Sequence, residues 1–320
     1  MRILDFDIPI LQAPIGSCTG VELASAVSQA GAMGALALTW TSPEVAGQMV
    51  SEVRKRTTKP FQVNFVLAFE PRSLVPALEA GAPIVTFSWG LPDRYVSVVR
   101  SHGAKFGVQV TTRDGAKRAL DCGADFLICQ GVEAGGHVQA TQPLCQVLPE
   151  VVIEAGTVPV VAAGGIGSGA AIAAVLRMGA TAAMLGTRFV ACDESLAHSS
   201  YKQLLVESSA KTASLTLCFD LGWPYAAHRV LRNRTLELWE AAGCPPSGLR
   251  PGEGDVLAFL PNGKTYKRYE DAPPLRGMDG SVLELCLYAG LSVADVTDVR
   301  PAADLVAALW NECRIALNDG

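Results

Sequence analysis

Val158-Pro-Val-Val-Ala-Ala-Gly-Gly-Ile-Gly-Ser-Gly-Ala-Ala-Ile-Ala-Ala-Val-Leu-Arg-Met-Gly-Ala-Thr-Ala-Ala-Met-Leu-Gly-Thr-Arg-Phe189 holds two apolar runs with one helical pattern between them. Val158 to Ala163 reads as a strand, Gly164 and Gly165 as its exit, Ala170 to Met178 as a helix and Ala182 to Phe189 as the next strand. Glycine in Met178-Gly179-Ala180 suits a helix stop, because it takes the left-handed conformation at low cost. Ala155 to Leu176 is uncharged and about long enough to span a bilayer, but Pro159 and the cluster Gly164, Gly165, Gly167 and Gly169 divide it into strand, loop and helix.

The same rhythm runs outward in both directions. Ile8 to Ile15, Met33 to Leu38, Phe61 to Val66, Ile84 to Trp89, Lys105 to Val110 and Phe126 to Gln130 are expected strands. Helices are expected at Pro71 to Ala80, Pro92 to His102, Arg113 to Cys122 and Gln142 to Glu154. Thr19-Gly20-Val21-Glu22 has the form of a capping box, and Ser42-Pro43 suits the N-cap and first position of a helix reaching about Arg56. Eight strands alternating with helices indicate a parallel sheet closed as a (β/α)8 TIM barrel over residues 1–209. An open doubly wound sheet shows the same alternation, but no GxGxxG follows the first strand. The rhythm then stops. Residues 210–280, rich in Gly, Pro and charge, are expected to form a small cap or substrate domain. Within 281–320, Ser281 to Gly290 and Pro301 to Leu317 look helical and are expected to pack back on the barrel through Leu305, Leu309 and Ile315.

Of the 320 residues, 49% are hydrophobic and 18% charged, and the net charge is −5. That balance supports a large core and argues against a nucleic-acid or anionic-membrane surface. The nine cysteines form no CxxC pair and no zinc-ligand spacing, so free thiols in a reducing cytoplasm are expected. Asp5 and Asp7 interrupt any apolar core a secretory signal would need.

In a barrel, chemistry gathers at the C-terminal strand ends. The residues there are Ala13-Pro14-Ile15, Asn64, Ser88-Trp89, Thr111-Thr112, Gln130 to His137, Gly164-Gly165 and Gly186-Thr187. Glycines at the exits of the seventh and eighth strands point to a phosphate site made of backbone N–H groups. Asn64 and Gln130 each offer donors and acceptors, either to a heteroaromatic ring or to the barrel-mouth backbone. Gly135 and Gly136 would let a flat ligand lie against the chain, and His137, with an ordinary pKa near neutrality, would face it. Glu133 is read as holding the loop. Arg229, Arg232, Asn233 and Arg234 form a basic group read as a solvated helix face.

Gln130-Gly-Val-Glu-Ala-Gly-Gly-His137, with Ala13-Pro14, Val63-Asn64, Val160-Val-Ala-Ala-Gly-Gly-Ile166 and Leu185-Gly-Thr-Arg-Phe189, resembles the nitronate monooxygenase family, formerly called 2-nitropropane dioxygenases. Arg229 to Asn233 and Tyr288-Ala-Gly-Leu-Ser292 also fit, so the resemblance covers nearly the whole chain. It implies an FMN-dependent TIM barrel with a small second domain that oxidises alkyl nitronates with O2 to a carbonyl compound and nitrite. Relatives with the same motif are FMN-dependent enoyl-carrier-protein reductases that use NAD(P)H. By the resemblance His137 would be catalytic; Ala13, Pro14, Ile15, Asn64, Gln130, Gly135 and Gly136 would lie at the flavin. Gly164, Gly165, Met184, Leu185, Gly186 and Thr187 would hold its phosphate. Substrate would be a nitronate or nitroalkane with O2, and a homodimer is a candidate assembly. Ile15, where many members have methionine, Gln139, where a glycine is common, and Trp89, at a variable position, depart from the pattern around the substrate.

Overall fold

A computed structural model of the chain describes residue 4 and residues 6–318; Asp5 lies outside them. Eight parallel strands make one sheet: β1 Ile10–Gln12, β2 Gly34–Ala37, β3 Phe61–Val66, β4 Ile84–Ser88, β5 Lys105–Val110, β6 Phe126–Gln130, β7 Val160–Ala163 and β8 Ala182–Leu185. Their order is β1-β8-β7-β6-β5-β4-β3-β2. Met33 donates to the Ile10 carbonyl and Gln12 to the Met33 carbonyl, so the sheet closes on itself as the expected barrel. Outside it run α1 Val21–Gln29, α2 Pro43–Arg56, α3 Leu74–Glu79, α4 Val96–Ser101, α5 Arg113–Asp121, α6 Leu144–Ala155 and α7 Gly169–Arg177. The chain continues through α8 Thr187–Val190, α9 Ser199–Glu207, α10 Arg234–Ala241 and α11 Ala302–Asn318. The helices α1, α5 and α7 end at Gly31, Gly123 and Gly179, with φ of 92°, 83° and 97°, the left-handed stop expected of them.

Strand alternation sorts the apolar residues into two layers. Leu36, Val63, Val85, Val108, Leu127 and Leu185 face outward to the helices, whereas Leu11, Met33, Phe126, Val161 and Met184 fill the barrel. The bulk of the Phe126 ring is accommodated by Gly107, where a Cβ would fall 2.3 Å from it. No further helix of the βα repeat follows α8, and α11 takes that place between α7 and α1. Glu312 of α11 accepts from the Gly169 amide at the start of α7 (3.1 Å).

Several local expectations are corrected. Thr19 does not cap α1: Gly20 is the N-cap, and the buried Thr19 hydroxyl instead accepts from Gln12 and donates to the Ala35 carbonyl, both at 2.8 Å. Ser42, by contrast, caps α2 through the Val45 amide, with Pro43 first in the helix. The eighth strand stops at Leu185, because Gly186 begins α8. Beyond Val282–Glu284, a single 3-10 turn, residues up to Gly290 are extended and not helical: Leu231 donates to Leu287 and Ala289 to Arg229. In α11, Leu305, Leu309 and Cys313 are buried but Ile315 is 53% exposed, so it does not pack on the barrel.

Residues after the barrel form two small antiparallel sheets. One contains β9 Ala213–Thr216, β10 His228–Leu231 and the two-residue strand Gly136–His137. The other is built on β11 Val256–Phe259 and β12 Thr265–Lys267, with Asp279–Gly280 at its other edge. The Ala155 to Leu176 stretch resolves into β7, a glycine turn and α7. Among the described residues no helix is long and apolar enough to cross a membrane.

Candidate active site

A cavity of about 470 Å³ opens at the C-terminal ends of the strands. Ala13, Pro14 and Ile15 line it from the exit of β1, Asn64 from β3, Gln130 from β6, Gly164 and Gly165 from β7, and Met184, Gly186 and Thr187 from β8. Gly135, Gly136 and His137 complete the wall. Leu185 does not line it, since alternation turns its side chain outward into the core, and neither do Thr111 and Thr112, of which Thr112 caps α5, nor Gly131, Val132 and Glu133 of the His137 loop.

Asn64 and Gln130 are each half spent on protein, and in opposite senses. The Asn64 amide donates to the carbonyl and hydroxyl of Thr86, both at 3.2 Å, which leaves its oxygen as an acceptor. The Gln130 oxygen accepts from the amides of Gln139 (2.9 Å) and Ala140 (3.4 Å), which leaves its nitrogen as a donor. An acceptor and a donor on strands of one barrel mouth match the mixed edge of a planar heterocycle. Nearby, the amides of Gly165, Gly186 and Thr187 have no protein acceptor among the described residues. Free N–H groups at a turn and a helix start form a cradle for an anion. Gly165 has φ of 69° and Gly164 of 110°, and a Cβ on Gly165 would come within 2.7 Å of the Glu133 Cβ.

The His137 loop is held from several sides. His137 pairs with His228 of β10, and Val138 donates to the Ala227 carbonyl (2.8 Å). Arg229, buried behind the loop, donates to the carbonyls of Ala134 (3.2 Å) and Val132 (2.8 Å). Glu133 accepts from the Leu144 amide at the start of α6, the holding role expected of it. What requires glycine at 135 is the Ala289–Gly290 backbone, since a Cβ there would sit 2.3 Å from the Gly290 nitrogen.

Neither nitrogen of the His137 ring has a protein hydrogen-bond partner among the described residues, and Nε2 is shut off from solvent. An unsatisfied buried nitrogen costs about 1–3 kcal/mol, which a ligand or proton can recover. Burial, with a smaller contribution from His228, 5.3 Å away ring to ring, pushes the imidazole down to about 3. His228 itself is satisfied: Nε2 accepts from the Phe219 amide (3.2 Å), so Nδ1 carries the proton and donates to the Ala226 carbonyl (2.9 Å). Over His137 lies Trp223, with ring centroids 4.3 Å apart, and Trp89 and Phe69 pack on Trp223 at 4.6 and 5.2 Å. Trp89 is held at φ of 59°, an uncommon conformation for a bulky residue that costs about 1–3 kcal/mol and gathers at functional sites.

Trp40, Trp223, Asp271 and Tyr288 also line the cavity, and none was singled out as a site residue from the sequence. Trp223 and Asp271 come from the segment beyond the barrel, whose folding back no periodicity discloses. A usable signal was present: Gly222-Trp223-Pro224 sets a large aromatic between two chain breakers, an arrangement suited to a fixed loop.

The family model described as nitronate monooxygenase matches residues 1–76 and 72–312. The chain belongs to the nitronate monooxygenase family. Nitronate monooxygenase of Pseudomonas aeruginosa is 32% identical, with 98% of each chain covered. Among solved structures, nitroalkane oxidase of Streptomyces ansochromogenes is 30% identical with a TM-score of 0.80, again covering 98% of each chain. FabK of Thermotoga maritima is 27% identical with a TM-score of 0.80, covering 99% of this chain and 96% of that one. The nitronate monooxygenase family is one of flavin-dependent oxidoreductases, and the acceptor, donor and anion cradle described above suit a flavin.

Proposed function

We propose that this chain is an FMN-dependent nitronate monooxygenase that oxidises a nitronate with O2 to a carbonyl compound and nitrite. The observation that carries the reading is the unpartnered His137 imidazole on the wall of a compact, aromatic-walled cavity. Asn64 and Gln130 would hold the two polar edges of the FMN ring. The amides of Gly165, Gly186 and Thr187 would hold its phosphate. Bound FMN supplies the electron transfer that the side chains cannot. His137 supplies a neutral ring that takes a proton from a neutral nitroalkane or hydrogen-bonds the nitronate oxygens, and the indoles exclude water. Residues 210–280 act as the cap that carries Trp223 over the site, and free thiols at all nine cysteines suit the cytoplasm.

The likeness to FabK keeps a second reading, an NAD(P)H-dependent enoyl-carrier-protein reductase. That reading calls for a basic landing patch for an acidic carrier. The arginine group does not provide it: Arg229 is spent on the His137 loop, Arg232 pairs with Glu240, and Asn233 caps α10. Arg232 and Arg234 are exposed, and of the two only Arg234 has no ion pair among the described residues. The nitronate reading is tested by purifying the protein, denaturing it and identifying the released flavin, then assaying nitrite from alkyl nitronates in air. FMN and nitrite are expected; a colourless protein that FMN cannot reconstitute, or holoprotein without nitrite from any nitronate, contradicts it.

A further inference from the structure

Among the described residues the cavity lining contains no lysine or arginine, and its one carboxylate is Asp271. Among the described residues Asp271 has no ion pair and no side-chain donor; its carboxylate accepts from its own backbone amide. Burial raises its pKa, with Glu270 and Asp220 adding to the effect, so the surroundings are poor in compensating positive charge. Asp271 is tied to the His137 end of the cavity through two neighbours. A Cβ on Gly222 would fall 2.1 Å from its Oδ1, so it packs against the residue preceding Trp223, whose indole covers His137. From the other side, the Tyr288 hydroxyl donates to the Asp271 carbonyl (2.8 Å), and the Tyr288 ring is 5.6 Å from that of His137. Trp40, Trp89 and Trp223, three of the five tryptophans, line the same space, and Trp40 is 59% exposed, within reach of an entering ligand.

A nitronate brings one negative charge, which the reaction needs. A second negative charge on the substrate would meet Asp271 and find no cation. At separations of several ångströms in a partly buried site, like charges repel strongly enough to change affinity by about tenfold or more. The indoles instead reward flat apolar groups through large buried area and ring stacking.

We propose that this site selects nitronates bearing apolar or aromatic substituents, and that Asp271 is a specificity determinant that rejects nitronates carrying a carboxylate. The inference rests on the nitronate reading above and narrows it to a substrate class.

Three nitronates test it in the FMN-loaded enzyme: propyl 1-nitronate, propionate 3-nitronate, which differs from it by a carboxylate in place of the terminal methyl, and phenylnitromethane nitronate. The expected order of kcat/KM is phenyl, then propyl, then propionate, with propionate at least about tenfold below propyl and the difference carried mainly by KM. Asp271→Asn should narrow the propyl-to-propionate ratio about tenfold, and Trp89→Ala should lower phenyl relative to propyl. The wild-type ratio decides the matter even where a variant fails to fold. Propionate 3-nitronate turned over as well as or better than the propyl compound overturns the proposal, as does an Asp271→Asn enzyme with an unmoved ratio. Nitrite from none of the three overturns the nitronate reading itself, and this inference with it.

Discussion

His137 is uncharged at every working pH, because burial holds its imidazole at about 3. It therefore keeps a lone pair always available but is a weak base, and general-base help scales with base strength. We predict that His137→Asn retains FMN, lowers turnover of a neutral nitroalkane by about 10²-fold, at the low end of the usual range, and lowers turnover of the preformed nitronate less. Steady-state assays on the two substrates decide it; equal losses would assign His137 an orienting role. The histidine, the glycines and the two amides were legible in the sequence because strand exits follow from counting strands. The direction in which each amide faces was not, since it depends on Thr86 and on the Gln139 and Ala140 amides, partners fixed only in space. Ile15 and Gln139, which depart from the family pattern, both meet the site: Ile15 lines the cavity, and Gln139 ties Gln130 to Gln109.

The elements that bear the site differ in how they tolerate change. At the β7 exit, Gly165 has a left-handed φ and no room for a Cβ, whereas at the β8 exit Gly186 has φ of −108° and a Cβ there would make ordinary 3.6 Å contacts with Ala13 and Ile15. Gly165→Ala is therefore expected to lose FMN, Gly186→Ala to keep it, and Gly186→Asp to lose it by repulsion of the phosphate. Flavin absorbance per protein after desalting measures all three. The loop bearing His137 depends on β10 and Arg229. Arg229→Met removes two charge-assisted hydrogen bonds, leaves two buried carbonyls unpaired and should cost about 2–4 kcal/mol, read as a lower urea midpoint. Periodicity located nearly every barrel element, but it misread residues 285–290 as helix. Buried apolar runs of that length fit strand and helix alike, and pairing with β10 settles the choice. Thr19-x-x-Glu22 failed as a capping box for a related reason, because the barrel interior competes for the threonine hydroxyl.

At the scale of the molecule, a (β/α)8 barrel is closed on the outside by α11, and the segment between α9 and α11 folds back over the mouth to place Trp223, Asp271 and Tyr288 against residues of the strand exits. That return path joins positions far apart in sequence, and so the strand-exit wall of the cavity was readable in advance while the wall built by the returning segment was not. Folding also couples to pH through the two neighbouring histidines, both held below the ordinary value by burial. In the unfolded chain they take up protons near pH 6.5, but in the folded chain His137 does so only near 3. The unfolded state then binds more protons between those values, and stability is complete above about pH 6.5 and falls as pH drops through that window. His137 contributes up to about 1.4 kcal/mol per pH unit, and urea unfolding at pH 7 and pH 5 should show a shallower decline for His137→Gln than for wild type. The central claim, that nitronate and not a nicotinamide cofactor delivers electrons to this site, is tested most directly by mixing the FMN-loaded protein anaerobically with propyl 1-nitronate, NADH or NADPH and following the flavin spectrum. The account predicts a rapid spectral change with the nitronate, nitrite once air is admitted, and an oxidised flavin throughout with either nicotinamide; rapid bleaching by NADPH with no response to the nitronate would contradict it.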